Sequence, residues 1–168
     1  MKAKLIIDGK ELEININHPE LEKLINTSTK KTGYERVKYG EHFYIPLNDD
    51  GVLDTVDMQL NTDDVIYDIG NYYSDKTVAE NNARADKLMR QLRRFAVEHR
   101  ENDLRWDDAE QLKHYIVFDC GMSLGVHHCS STRELNVVYF DSIAVATSAI
   151  KTFHDELIWY FTEYKDSL

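Results

Sequence analysis

Cys120, His127, His128 and Cys129 gather the side chains of this 168-residue chain best suited to hold a soft metal or to activate a thiol. Their spacing fits neither task. Structural zinc sites pair ligands about two to four residues apart on both sides of a longer loop, and Cys120 has no close partner of that kind. His128 and Cys129 are neighbours, and neighbours on a strand point to opposite faces. The stretch reads as a hairpin with ordinary histidines and a buried cysteine. No cysteine-protease signature or nucleophile elbow surrounds either thiol. The chain has no phosphate loop and no three-glycine dinucleotide fingerprint. The acid pairs Asp63-Asp64 and Asp107-Asp108 read as loop and helix-start residues. Asn48-Asp49-Asp50-Gly51 lacks the alternate ligands and terminal Glu of a calcium loop. The expectation is a protein that is not an enzyme, with no catalytic residue, metal or cofactor.

Charge is the stronger signal. From Tyr39 to Asp75 there is no Lys or Arg, and the segment carries nine acids, so it holds −9 of a formal net charge of −10. Lys76 to Arg105 reverses the sign, with eight cations against five acids. A one-sign patch projects a field and speeds association with an oppositely charged partner. The segment therefore predicts a surface that imitates nucleic-acid phosphate and settles on a basic partner. Asp49, Asp50, Asp54, Asp57, Asp63, Asp64 and Asp68 would supply the charge, and Tyr67, Tyr72 and Tyr73 the central anchors. The plainer reading is a solvated loop and sheet edge whose charges block edge-to-edge pairing.

Two further binding modes follow from the residues. Arg84, Lys87, Arg90 and Arg94 recur at three- and four-residue spacing along one helical ridge, which Arg93 widens. Such a ridge can contact phosphates, giving an alternative as a nucleic-acid-binding accessory protein. It can equally neutralise the acidic segment. The sequence pI near 5.1 argues against nucleic acid as the main ligand. A small nucleotide signal, held in a pocket of cations, is a third class.

These residues must be positioned by a fold, and the pattern gives α+β with antiparallel sheets built from ββα-like units. Lys2 to Ile7 and Glu11 to Ile16 alternate around Asp8-Gly9, a pair that favours a type I′ hairpin turn. Asn17 caps a short expected helix through Pro19, Leu21, Leu24 and Ile25, completing a unit over 1–26. Residues 27–33 are the linker. A first repeat over 34–105 has a strand around Phe43-Tyr44-Ile45, a turn at Asn48–Gly51, and a second arm from Val52. The acidic segment follows in extended form, then Ser74 caps a helix over roughly 75–100. Val78, Ala85, Leu88, Leu92 and Phe95 form its apolar stripe. A second repeat over 106–168 has a strand at His114-Tyr115-Ile116, echoing Phe43-Tyr44-Ile45 residue for residue, another at Asn136–Phe140, and a helix capped by Asp141 or Ser142. Its seam runs Ala146, Ile150, Phe153, Leu157, Tyr160, Tyr164. With Trp159 and Phe161 beside it, that seam is core or a homodimer contact. Tyr73 precedes Ala79 by six residues and Phe140 precedes Ala146 by six, an echo that points to duplication. The region 34–168 is then one core.

Tyr44-Ile45, Gly70-Asn71-Tyr72-Tyr73-Ser74, Ala79-Glu80 and Val138-Tyr139-Phe140-Asp141-Ser142 carry a resemblance over about 40–165. The chain resembles small accessory proteins of phages and mobile elements of Firmicutes, some of which are similar to anti-CRISPR inhibitors of type II RNA-guided nucleases. The resemblance implies the fold, and a partner such as a CRISPR nuclease of the host cell. It assigns no functional residue. The first residues lack the apolar run of a secretory signal, so the expected location is the cytoplasm, with both thiols reduced, as monomer or homodimer and away from membranes.

Overall fold

A computed structural model describes residues 2–7, 10–15, 31–47, 51–119, 121 and 123–164. The fold is α+β, with antiparallel strands throughout. It divides into two compact units, Met1–Thr32 and Gly33–Leu168. In the first, β1 (Lys2–Ile7) and β2 (Lys10–Asn15) pair from Lys2↔Asn15 to Ile7↔Lys10. The expected Asp8-Gly9 turn, the helix expected through Leu21 and Ile25, and most of the expected linker lie outside the described residues.

The second unit contains the same path twice. β3 (His42–Pro46) pairs with β4 (Val52–Val56), and Tyr44 exchanges two backbone hydrogen bonds with Tyr73 on its other side. β5 (Lys113–Phe118) pairs with β6 (Leu124–Cys129) on one side and with β7 (Tyr139–Phe140) on the other. In each copy the first strand is central, and a long helix begins three residues after the third. Ala79 and Ala146, six residues beyond Tyr73 and Phe140, are both fully buried. A small side chain at this point lets the helix sit close.

The strand pairing corrects the expected alignment of the repeats by one residue. Tyr44 pairs with Tyr73 and His114 with Phe140, so Tyr44 corresponds to His114 and Phe43 to Lys113. A one-residue shift exchanges the two faces of a strand, and here it puts a lysine where the first repeat buries a ring.

The copies differ most in the connection to the third strand. In the first it spans 57–72 and contains α1 (Asn61–Asp68); in the second it spans 130–138 without a helix. The expectation of an extended acidic segment is corrected here. Asn, Thr and Asp are weak helix formers, and the helix forms because Asp63 fixes its first turn.

The long helix α2 (Lys76–His99) buries Ala85, Leu88, Leu92 and Phe95 as its spacing predicts. Asp75, not Ser74, caps it, accepting from Val78 N at 3.0 Å, while Ser74 Oγ donates to Glu35 at 3.1 Å. From Leu88 to Ala96 the helix joins Phe140, Ala146, Ala149 and Leu157 in the main core cluster. It also packs on β3 and β4, so one helix serves both repeats. The last helix is two: α3 (Ile143–Thr152) and α4 (His154–Thr162), parted at Phe153, which leaves helical geometry at φ −113°, ψ 24°. Ser142 caps α3, and Asp141 instead accepts from the amides of Glu101 and Asn102. Ile150, Phe153, Leu157 and Tyr160 all meet the core cluster. Those positions of the seam therefore serve the core of the chain.

Candidate functional site

α1 is held by a knot of charge rather than by apolar packing. Asp57, at the end of β4, is fully buried. Its carboxylate accepts from Arg36 Nε at 2.9 Å, Arg36 Nη2 at 3.3 Å, Gln59 N at 2.7 Å and the Tyr72 hydroxyl at 2.8 Å. The Arg36 guanidinium, above all, holds the Asp57 carboxyl down at about 2 against burial, with Tyr72 and Gln59 adding to it. Burial, followed by the neighbouring carboxylate, pushes the Tyr72 phenol up to about 12. Arg36 also reaches Asp64 on α1, Nη1 to Oδ1 at 2.5 Å, and lies over the rings of Tyr67 and Tyr72.

Asp63 completes the frame. Its Oδ2 accepts from Met58 N and Leu60 N, each at 3.0 Å, which satisfies amides that precede the helix. A carboxylate in the first turn also complements the helix dipole. Asp63 is the buried residue of α1. Most apolar residues of the helix and its flanks are exposed instead, Ile66 alone among those of the helix being half-buried: Leu60 is 57% exposed, Val65 58% and Ile69 69%, with Leu53 and Met58 also exposed. Asp54, Asp64 and Asp68 are exposed on the same segment. Val65 and Ile69, four residues apart, share one exposed stripe of the helix, and Asp64 and Asp68 share the stripe beside it.

This arrangement redistributes the predicted partner-binding residues. Asp57 and Asp63 are consumed inside the fold, because buried carboxylates need several donors and find them here. Tyr72 and Tyr73 are buried, Tyr72 stacked on Phe43 at 4.0 Å, so neither can anchor a partner. Tyr67 stays partly open. Asp64 is exposed but shared with Arg36, and Asp54 lies 2.6 Å from His42 Nδ1. Asp68 is exposed. Asp49 and Asp50 lie outside the described residues. The residues that sequence reasoning missed are Arg36, Leu60, Val65 and Ile69. A signal existed in the four-residue spacing of Val65–Ile69 and of Leu60–Asp64–Asp68. Arg36 stands three residues before the acidic segment and so escaped the count.

The basic ridge is also partly used. Arg84 binds Glu156 through Nε at 2.8 Å and Nη2 at 3.0 Å, and its guanidinium stacks 3.9 Å from the Trp159 ring. It clamps α2 to α4, and its charge is already matched by a carboxylate. Lys87 is half-buried near Glu156, whereas Arg90, Arg93 and Arg94 are exposed.

Comparison with protein-family models, with curated proteins and with solved structures gives no match. Among the described residues no group of three or more His, Cys, Asp or Glu is placed to hold a metal. His127 and His128 are exposed, and Cys129 Sγ donates to Thr132 O at 3.1 Å. Cys120 lies outside the described residues. No helix among them is long and apolar enough to cross a membrane.

Proposed function

We propose that this chain is a non-enzymatic binding protein whose α1 face covers a basic surface of a host protein and inhibits it. The observation that carries this reading is the inverted burial of α1. The helix buries a carboxylate and presents Val65 and Ile69 to solvent, within a segment that holds no cation from Tyr39 to Asp75. Exposed apolar residues rimmed by polar ones mark interaction sites. α1 is also where the repeats diverge, and connecting segments on a rigid scaffold commonly carry function. The apolar centre would supply affinity, and Asp54, Asp64 and Asp68 would steer the approach of a cationic partner.

The first partner to test is a type II RNA-guided nuclease in the cytoplasm of the host, the partner that the sequence resemblance implies. Guided DNA cleavage is measured with purified nuclease and increasing amounts of this chain. Inhibition that disappears in Val65→Ser/Ile69→Ser, with the fold intact, supports the reading. Full-strength inhibition by that variant removes α1 from the mechanism, and no inhibition by the natural chain removes the nuclease. A second reading, nucleic-acid binding, is favoured by the exposure of Arg90, Arg93 and Arg94 on one stretch of α2.

A further inference from the structure

A cavity of about 270 Å³ lies beneath the 130–138 connection of the second repeat. Its floor is Leu88, Leu92, Phe140 and Leu157, all members of the buried core cluster. Its mouth is Leu135 and Asn136, both exposed. Asn136 adopts φ 60°, the left-handed conformation that asparagine tolerates. Leu135 beside it is 95% exposed, at the edge of an apolar hollow that it does not fill.

The hollow opens to solvent at Leu135 and Asn136, so its apolar lining is left in contact with water, which costs free energy until an apolar group covers it. Water is a poor occupant, because an ordered water needs about two to four polar partners. Apart from those of Asn136 and Tyr160, the lining side chains are apolar. An enclosed apolar cavity of about 150 Å³ takes up benzene, so this open hollow of about 270 Å³ has room for a small apolar molecule. No lining residue carries a charge.

We propose that the cavity binds a medium-length alkyl chain, with an uncharged hydrogen-bonding end at Asn136. The aliphatic walls of Leu88, Leu92, Ile116 and Leu157 suit a flexible chain. The absence of a lining cation disfavours a carboxylate head, which would lose its hydration without a partner. The site shares no residue with the α1 face and stands or falls independently of it.

The test uses the full chain and the uncharged dye N-phenyl-1-naphthylamine, displaced by 1-nonanol or by nonanoate. The expected result is one saturable dye site, displaced by the alcohol at lower concentration than by the acid. With methyl-labelled methionine, the alcohol should shift the Met89 signal and leave Met58 unchanged. Val138→Trp and Met89→Trp fill the wall and should weaken binding by at least about tenfold. Absence of saturable binding, binding without a Met89 shift, or undiminished binding in a folded filled variant overturns the proposal. So does a dimer dissolved by Leu135→Asp, which would assign the cavity to Leu135 of a second copy. The Met89 measurement uses the natural chain, so it decides even where a filled variant fails to fold.

Discussion

Lys113 occupies in the second repeat the position that Phe43 occupies in the first, and both are fully buried. Phe43 stacks on Tyr72, and the corresponding Tyr139 instead meets Trp106 edge-on at 4.9 Å. Trp106 stands seven residues before Lys113, as Arg36 stands seven before Phe43. In each copy a cation thus lies against an aromatic ring, but it has moved from the leading residue to the strand: Arg36 over Tyr72 in one, Lys113 over Trp106 in the other. Lys113 Nζ donates to Asp108 O at 2.6 Å and Ser130 O at 2.8 Å, tying both flanks of the β5–β6 hairpin to its base. Replacing it with methionine keeps the stem and strips those carbonyls of their donor. Lys113→Met should lose about 2–4 kcal/mol of stability by urea unfolding. A loss below about 0.5 kcal/mol would make the buried ammonium dispensable.

The Asp57 knot predicts loss of stability at both ends of the pH scale. Asp57 titrates at about 2 in the fold against an ordinary 3.8, so its contribution is complete above pH 4 and disappears as pH falls from about 4 to about 2. Tyr72 titrates at about 12 against an ordinary 10.0, so its contribution is complete below pH 10 and is lost as pH rises toward 12. Urea midpoints measured across these two windows should fall in the natural chain. Tyr72→Phe should flatten the alkaline limb and keep most of the acid one. An alkaline limb unchanged in that variant would assign it to other groups.

Much of the fold was legible because it follows periodicity. The stripe of α2, the strands β3 and β5 and the six-residue offset to Ala79 and Ala146 are repeated local signals, and packing respected them. What escaped depended on long-range satisfaction of polar groups. Nine acids without a cation looked like one exposed field, yet Asp57 is answered by Arg36 from 21 residues away and Asp63 by backbone amides. Charge counted along the chain is blind to both. Lys113 escaped for the converse reason, since lysine is almost never fully buried unless paired, and its partners are carbonyls that no side-chain pattern reveals. The break at Phe153 escaped because the apolar spacing continues across it.

The two faces of α2 separate structure from any nucleic-acid contact. Arg84→Ala removes the Glu156 bridge and the stack on Trp159, and should cost about 1–2 kcal/mol of stability, with the packing of the stem included. Arg93→Ala/Arg94→Ala removes exposed charge and should change stability by less than about 0.5 kcal/mol. If the ridge binds nucleic acid, only the second variant weakens a low-salt gel shift without altering the melting temperature. No shift with the natural chain at low salt disposes of that reading.

Steering and anchoring at the α1 face act on different rate constants, and this distinguishes a built interface from a merely solvated acidic edge. Asp54, Asp64 and Asp68 are exposed at the rim, so their charge acts during approach; rim charges change association rate and salt dependence. Val65 and Ile69 form the apolar centre, and losing central contacts shortens residence. Asp54→Asn/Asp68→Asn should therefore slow capture of a basic partner several-fold, with little change in dissociation and a shallower dependence on salt. Asp64 is left intact in that variant, because Arg36 shares it and its loss would disturb the knot. Val65→Ser/Ile69→Ser should leave association nearly unchanged and speed dissociation at least about tenfold. Both sets alter exposed positions, so melting temperature should hold in each. Surface plasmon resonance at two salt concentrations reads all of this. Equal loss of both rate constants in both variants, or no loss in either, is incompatible with a face that steers with carboxylates and holds with apolar side chains.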